Sequence, residues 1–203
     1  MAQVLTPLAS RELIILGLPR GGVPVAYEVA KALSKPLDVI IVRKLGVPWQ
    51  PELAFGALGE GDVVYLNQSV IDDLAISKAE QDEVIRQEQE EIRARQTRFR
   101  GDQAPFDLKG KSAVIVDDGI ATGATAQAAC KVVSNMGAKE IIIAAPVATK
   151  ESIRMLKEVA TKCIVIDTPE NFHAVGQWYE DFPTVTDTEV LSFLNKYRGE
   201  YGD

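Results

Sequence analysis

Two adjacent carboxylates followed by a turn rich in glycine and threonine are the residues most suited to chemistry. Asp117 and Asp118 end the apolar run VIV, and the turn ATGAT (121–125) comes shortly after them. Such a turn at the start of a helix exposes unpaired N–H groups at the positive end of the helix dipole, which suits a phosphate. The carboxylates would repel a phosphate and instead suit two sugar hydroxyls, or a metal ion held through water. The order of these groups predicts a site for a phosphorylated sugar; the alternative is that the acids only cap the turn.

Two further sets of residues follow predicted strands at their carboxyl ends, where ligands bind in open α/β sheets. After the first strand, the forked cation Arg20 precedes Gly21 and Gly22, which permit close approach to a ligand. Arg43 and Lys44 follow the second strand, and adjacent cations suit a diphosphate. The alternatives are a plain turn with a surface arginine and an exposed pair of charges at a strand end.

The elements that must position these groups alternate between strand and helix patterns. Apolar runs of strand length recur with amphipathic segments between them, which is typical of a parallel sheet covered on both faces. Helices are predicted after the first, third and fourth strands. We therefore predict a single α/β domain over 1–203, with an open, mostly parallel twisted sheet of about five strands flanked by helices. The predicted strands are LIIL (13–16), DVIIV (38–42), SAVIVDD (112–118), EIIIAAPVA (140–148) and CIVID (163–167).

The stretch 44–110 is too long for a simple connection, so we expect a flexible loop and a helical arm within it. GDVVYLN (61–67) has the pattern of a short strand. Ser77 and Glu80 form a capping-box pattern that opens a polar helix to about Gln96. The thin apolar stripe of this helix predicts a projecting arm, an oligomer contact or a mobile cover.

Composition and charge favour a globular protein that does not bind polyanions broadly. The chain has 203 residues, of which 46% are hydrophobic and 25% charged, and a formal net charge of −7. That charge argues against nucleic acid and anionic membranes as partners. The interpretation we favour for one basic cluster is a solvated helix end with paired charges, rather than an RNA-binding surface. This cluster consists of Arg93, Arg95, Arg98 and Arg100.

Cysteine and histidine usage excludes the common metal and disulfide frameworks. Cys130 and Cys163 are the only cysteines, and we expect buried free thiols in a reducing compartment. The single histidine, His173, excludes a multi-histidine metal site and is left unassigned. The sequence has no signal-peptide pattern and no apolar run long enough for a membrane span, so we expect a cytoplasmic protein.

The segment VIVDDGIATGAT (114–125) resembles the signature of type I phosphoribosyltransferases, which use 5-phosphoribosyl-1-diphosphate as donor. The resemblance implies that Asp117 and Asp118 hold the ribose 2- and 3-hydroxyls. It implies that the 5-phosphate is enclosed by Ala121, Thr122, Gly123, Ala124 and Thr125. The loop after the first strand is similar to the pyrophosphate loop of the family, and basic residues after the second strand occur there too. The implied pyrophosphate site consists of Arg20, Gly21, Gly22, Arg43 and Lys44.

The resemblance extends to a cover and to a hood for the acceptor. The segment 44–62 falls where the family carries its mobile catalytic cover, which could present Glu52 or Glu60 to the reaction. The segment 168–185 is the candidate hood, whose alternative is ordinary packing of a small appendage. Its candidate base contacts are Phe172, Trp178, Tyr179 and Asp181. Nearly all of the chain from residue 13 onward resembles a bacterial subgroup of phosphoribosyltransferases whose acceptor is unassigned.

We therefore expect a Mg²⁺-dependent phosphoribosyltransferase that releases pyrophosphate on transfer to a nitrogen heterocycle or a related acceptor. Its catalytic residues would be Asp117, Asp118, Arg20 and Lys44, and Mg²⁺ would bind mainly through substrate oxygens, with the two aspartates as additional candidates. The expected partners are the donor, an acceptor that the sequence does not identify, and a second copy in a homodimer. The alternatives are a non-catalytic sensor of the donor and a phosphosugar hydrolase.

Overall fold

The computed structural model describes residues 1–101, 103–104 and 106–201, and in these ranges the chain forms two β-sheets flanked by helices. The strands are β1 (Leu13–Gly17), β2 (Leu37–Val39), β3 (Val42–Val47), β4 (Gln50–Gly59), β5 (Val63–Leu66), β6 (Ser112–Val116), β7 (Glu140–Val147) and β8 (Lys162–Asp167). Five of them pair in parallel in the order β2-β1-β6-β7-β8. The predicted α/β class and the parallel five-stranded sheet are confirmed.

Helices pack against both sheets. They are α1 (Ala2–Leu5), α2 (Gly22–Leu33), α3 (Gln68–Asp73), α4 (Lys78–Arg100), α5 (Ala124–Asn135), α6 (Lys150–Leu156) and α7 (Asp187–Tyr201). The three predicted crossover helices correspond to α2, α5 and α6. Helix α7 was not predicted, although its capping box is visible in the sequence. The backbone N–H of Thr186 donates to Glu189 Oε2 at 2.7 Å, and the backbone N–H of Glu189 donates to Thr186 Oγ1 at 3.2 Å.

Side-chain alternation along the strands divides the apolar core into two layers. Successive strand residues point to opposite faces, so each strand contributes to both layers. Ile15 of β1 and Val114 of β6 pack with α2 and α7 on one face. Ile14 and Ile115 pack with α5 on the other. This arrangement places the carboxyl ends of β1 and β6 side by side, with register partners Gly17 and Val116.

The second predicted strand, DVIIV (38–42), is divided between the two sheets. Strand β2 ends at Val39 and β3 begins at Val42, while Ile40 and Ile41 are buried in the two different core layers. The amide of Ile41 donates to Glu60 Oε1 at 2.9 Å rather than to a strand neighbour. The continuous apolar run therefore marks a buried crossing between sheets, which alternation alone could not distinguish from one strand.

The segment 44–62 belongs to regular secondary structure instead of an irregular loop. Strands β3, β4 and β5 form an antiparallel three-stranded sheet, with register shifts in β3 between Leu45 and Val47. The predicted strand at 61–67 is confirmed as β5. Helix α5 packs on one face of this sheet and α4 contacts β3 and β4.

Helix α4 is fixed to the body of the protein by a buried ion-pair network at its C-terminal end. The capping box at Ser77 and Glu80 is present as predicted. At the other end, Arg100 is buried, and its Nε lies 3.0 Å from both carboxylate oxygens of Asp38. The same guanidinium pairs with buried Glu60 and donates to the Val39 carbonyl at 2.6 Å. Arg100 is therefore not part of a solvated helix end, and Glu60 is not presented to a reaction.

The two cysteines agree in part with the expectation of buried free thiols. Both cysteines are free thiols, but only Cys130 is buried, while Cys163 is partly exposed. Burial raises the pKa of the Cys130 thiol to about 12, so it stays protonated.

None of the helices in the described ranges has the length and apolar character needed to cross a membrane.

Replacing Arg100 by methionine is expected to destabilise the fold strongly, because Asp38 and Glu60 would remain buried without their cation. Breaking a buried ion pair by removing one partner costs about 3–5 kcal/mol of unfolding free energy. Urea denaturation followed by circular dichroism measures this loss.

The matched control is Arg93→Met on the same helix, because Arg93 is exposed and lies 3.8 Å from exposed Asp62. The control is expected to lose less than about 1 kcal/mol. Equal losses in the two variants would contradict the assignment of Arg100 as the anchor of α4.

Candidate active site

The glycines after β1 lie in direct contact with the acidic pair after β6. A Cβ atom added at Gly21 would lie 1.8 Å from Asp118 Oδ2, and one added at Gly22 would lie 2.5 Å from the Val116 carbonyl oxygen. The backbone N–H of Leu18 donates to that same carbonyl at 2.9 Å. Backbone atoms leave no room for a side chain at Gly22, and a side chain at Gly21 would displace the Asp118 carboxylate. The glycines thus bring two loops predicted from separate motifs into one site.

The acidic pair is held in a site that disfavours its charge. Burial, and then the charge of Asp118, raise the pKa of Asp117 well above its ordinary value. Burial likewise raises the pKa of Asp118. The backbone N–H of Asp118 donates to Asp117 Oδ1 at 3.0 Å, and that of Asp117 donates to the Ala144 carbonyl at 3.0 Å. Two carboxylates held in this way are suited to binding groups that stabilise negative charge, such as hydroxyl donors or a cation.

The turn after the acids has the geometry expected of an anion site at the start of a helix. Gly123 precedes α5 with a φ of +77°, a conformation that favours glycine. Ala121, Thr122 and Thr125 are exposed, so their polar groups are accessible to a ligand. Ala124, partly buried, donates its N–H to Thr122 Oγ1 at 3.4 Å. The predicted loop therefore presents amides and hydroxyls beside the acids.

A residue that the sequence reasoning missed braces this turn from the next loop. Thr149, at the start of α6, donates its hydroxyl to the Ala121 carbonyl at 2.8 Å, and its N–H donates to the Ile120 carbonyl at 3.0 Å. The Ser152 hydroxyl lies 3.3 Å from that same Ile120 oxygen. The signal was the helix-capping pattern of Thr149, which predicts a local role but not this contact across the site.

Arg43 and Lys44 do not form one cationic pair. Both lie within β3, not after a strand, and alternation directs their side chains to opposite faces. Arg43 Nε lies 2.5 Å from Glu88 Oε2 of α4, and this hydrogen bond raises the pKa of Arg43. Lys44 instead lines a shallow groove with Ala124 and Gln127 at the start of α5. Arg43 is thus engaged within the protein, whereas Lys44 lies near the predicted phosphate turn.

Arg20 lies on the outer side of the glycine loop. About half of its side chain is exposed (51%), and its Nη1 is 3.8 Å from Asp187 Oδ1 at the start of α7. Arg98 of α4 pairs with the same carboxylate. Arg20 therefore lies between the glycine loop and two helices that the sequence did not connect with the site.

The predicted hood covers the acidic motif, with unequal roles for its side chains. Tyr179 donates its hydroxyl to the Asp118 carbonyl at 2.6 Å, and burial together with the nearby acids raises its pKa to about 12. Val175 packs against Gly119, where an added Cβ would lie 2.4 Å from Val175 Cγ1. Of the predicted base contacts, Phe172 and Tyr179 are partly buried, whereas Trp178 and Asp181 are exposed. The structure thus brings the hood to the acids, with Tyr179 as its anchor.

The donor set fits a metal that is shared with a ligand. Within the described ranges, no group of three or more His, Cys, Asp or Glu side chains could hold a metal ion by itself. The carboxylates of Asp117 and Asp118 are hard oxygen ligands of the kind that Mg²⁺ takes, usually together with water and substrate oxygens. The side chains present therefore fit Mg²⁺ bound jointly with a phosphorylated substrate.

Comparison with known proteins agrees with this geometry. The family model of the phosphoribosyl transferase domain matches residues 2–182. Two Mycobacterium tuberculosis proteins, from strains CDC 1551 and H37Rv, are each 46% identical over all 203 residues, and both are named "Putative phosphoribosyl transferase". The chain spans about half the length (46%) of each of these relatives.

A solved structure also matches over nearly the whole chain. The crystal structure of TT1426 from Thermus thermophilus superposes with a TM-score of 0.89 at 39% identity, covering 97% of this chain and 93% of that one. This match shows that the two chains share a fold, while the family assignment rests on the family model over residues 2–182. The chain belongs to the phosphoribosyl transferase domain family.

Proposed function

We propose that the protein transfers a phosphoribosyl group from 5-phosphoribosyl-1-diphosphate to a nitrogen heterocycle or a related acceptor, with release of pyrophosphate. The observation that carries the proposal is the contact of Gly21 and Gly22 with Asp117 and Asp118. It places a loop suited to a diphosphate against a carboxylate pair suited to ribose hydroxyls. The turn at 121–125 follows the acids along the chain and leads into the start of α5, where a 5-phosphate would belong.

The chemistry assigned to these groups is electrostatic. As the bond to the leaving group lengthens, positive charge develops on the ribose and negative charge on the pyrophosphate. Arg20 and the amide of Gly21 stabilise the leaving group, while Asp117 and Asp118 anchor the ribose hydroxyls. The amide of Gly22 donates to the Leu18 carbonyl at 3.0 Å, so Gly22 contributes close approach and not a hydrogen bond. Bound Mg²⁺, held by the acids together with the donor, would neutralise part of the diphosphate charge.

The positions of the two cations of β3 change their proposed roles. Lys44 shares a groove with Ala124, so we place it near the 5-phosphate end of the donor instead of at the pyrophosphate. Arg43 is paired with Glu88, so it supports the interface between β3 and α4 rather than the leaving group. Glu52 is exposed on β4 and is the remaining candidate for a group delivered by the hairpin.

The hood is the proposed acceptor site. Trp178 has an exposed ring suited to stacking on a heterocycle, and exposed Asp181 can accept an N–H. Tyr179 orients the hood by its bond to the Asp118 carbonyl, which also links acceptor binding to the ribose site. The homodimer and the cytoplasmic location remain predictions from the sequence.

A donor sensor that reports to an RNA partner would need a continuous basic surface. The four arginines of the basic cluster lie in three different places. Arg93 lies toward Asp62, Arg100 lies in the core, and Arg95 and Arg98 line a cleft beside Arg20. They do not form one patch for RNA.

An assay of pyrophosphate release distinguishes transfer to an acceptor, hydrolysis and sensing, because a sensor releases none. Pyrophosphate release that depends on an added heterocycle supports the transferase, and release without any acceptor supports the hydrolase.

Replacing both acids, Asp117→Asn with Asp118→Asn, is expected to abolish binding of ribose 5-phosphate and of the donor, because the hydroxyl acceptors lose their charge. Calorimetric titration in Mg²⁺ measures the loss, which should exceed about a hundredfold for two charge-assisted contacts. The control is Asp181→Asn in the hood, which should bind ribose 5-phosphate like the wild type. Retained binding in the double variant would refute the assignment of the acids.

The acids are also expected to make the unliganded protein less stable as pH rises. The folded-state pKa of Asp117 lies above its unfolded value of about 3.9, so its contribution to stability is present at lower pH and is lost as pH rises through the folded pKa. Asp117→Asn removes that loss. The variant's unfolding free energy should therefore exceed the wild type's by a margin that grows from pH 4 to pH 7.

Urea denaturation at several pH values measures this margin, at about 1.4 kcal/mol for each unit of pKa shift. Asp181→Asn again serves as control, and its difference from the wild type should show little dependence on pH. A margin for Asp117→Asn that shrinks as pH rises would show that the site stabilises the charged form.

A further inference from the structure

One face of α4 forms a cleft with the outer side of the glycine loop. Glu91, Ala94, Arg95 and Arg98 recur at helical spacing, so they lie on one side of the helix. Together with Pro19, Arg20 and Asp187 they line a cavity of about 440 Å³. No sequence motif indicated that this helix contributes to the site.

The cleft concentrates positive charge around one carboxylate. Arg98 pairs with Asp187, and Arg20 Nη1 lies 3.8 Å from the same side chain. Among the residues that the structure describes, no carboxylate lies within 4.0 Å of the partly buried Arg95 guanidinium. Three guanidinium groups thus face two carboxylates, in a chain whose net charge is −7.

Neighbouring charges reduce the negative contribution of the second carboxylate, Glu91. Glu91 interacts electrostatically with Arg43 of β3, whose pKa is raised by its hydrogen bond with Glu88 and, less strongly, by the charges of Glu88 and Glu91. The negative charge of Glu91 is therefore partly compensated by Arg43, which lies outside the cleft. The excess positive charge therefore lies at Arg95 and Arg98, beside Arg20, which is a proposed contact of the leaving group.

We propose that this cleft binds the diphosphate group of the donor, with Arg95 and Arg98 of α4 as additional contacts and Asp187 as an internal counter-ion that the diphosphate displaces. The proposal rests on the proposed function for the identity of the donor. A planar guanidinium group can donate two parallel hydrogen bonds to phosphate oxygens. A diphosphate has enough oxygen atoms to accept such bonds from three arginines. Asp187 holds Arg20 and Arg98 in place when no ligand is bound.

The fixed position of α4 supports the proposed cleft. The buried network of Arg100 anchors the helix one turn or less beyond Arg98, so the basic face has a defined place relative to the glycine loop. A helix anchored in this way does not have to be ordered when the ligand binds, so only its side chains lose conformational freedom.

The test is calorimetric titration with inorganic pyrophosphate in Mg²⁺ at fixed ionic strength. Arg95→Gln should weaken pyrophosphate binding on the order of tenfold, because one charge-assisted contact is removed. Ribose 5-phosphate has no diphosphate, so its affinity should be unchanged in this variant. The matched control is Arg93→Gln, on the same helix but outside the cleft, which should bind pyrophosphate like the wild type.

Asp187→Asn supplies a readout that a merely structural role would not give. Loss of this carboxylate should tighten pyrophosphate binding severalfold, since Arg20 and Arg98 are released from their counter-ion. The capping box between Thr186 and Glu189 remains to start α7 in this variant. Weaker binding in Asp187→Asn would overturn the counter-ion role.

The remaining outcomes separate this proposal from the proposed function. Equal pyrophosphate affinity in Arg95→Gln and Arg93→Gln, or no pyrophosphate binding by the wild type at millimolar concentration, would overturn the cleft. Pyrophosphate binding that depends on Arg95, without any binding of ribose 5-phosphate, would support the cleft and contradict the phosphoribosyl donor.

Discussion

Gly21 and Gly22 lie so close to Asp117 and Asp118 that a single added methyl group would collide with a carboxylate or with backbone. The parallel pairing of β1 with β6 makes this approach possible, because it sets the ends of the two strands at the same level. Both acids are held where burial raises their pKa values. The proposed donor and Mg²⁺ would supply hydroxyl groups and positive charge to these acids, which are otherwise held at a cost to the unliganded fold.

A second constraint fixes the surroundings of that contact. Arg100 brings Asp38, Glu60 and α4 together in the core, where β2 gives way to β3. The position of α4 then determines where Arg95 and Arg98 lie relative to Arg20. The three-stranded sheet, placed between α4 and α5, carries Arg43 on one side and Lys44 on the other. A structural ion-pair network in the core therefore contributes to the shape of the proposed diphosphate cleft.

The sequence predicted the parallel sheet well, and it placed the acidic pair correctly between a strand and a helix, because both depend on local patterns. Apolar runs of strand length and a turn of small residues before a helix have the same meaning in many folds. It predicted poorly where the decisive partner is distant along the chain. The run at 38–42 does not show that it crosses between sheets, since Ile40 and Ile41 are buried on either side of the crossing.

The same limit applies to single side chains. Arg43 and Lys44 are adjacent letters, yet strand alternation separates them, and only the packing of α4 shows that Arg43 has a partner in Glu88. Tyr179 was predicted to contact a base, while its hydroxyl is committed to the Asp118 carbonyl. Thr149 gave a helix-cap signal but no indication that it supports the phosphate turn. Residues of this kind need the tertiary contact before a role can be assigned.

The most direct test of the central claim is a crystal structure of the protein with 5-phosphoribosyl-1-diphosphate and Mg²⁺. The proposed site predicts ribose hydroxyls within hydrogen-bond distance of Asp117 and Asp118 and the 5-phosphate at the turn of residues 121–125. The diphosphate should lie between the glycine loop and Arg95. A donor bound elsewhere, or one whose ribose does not touch the acids, would contradict it.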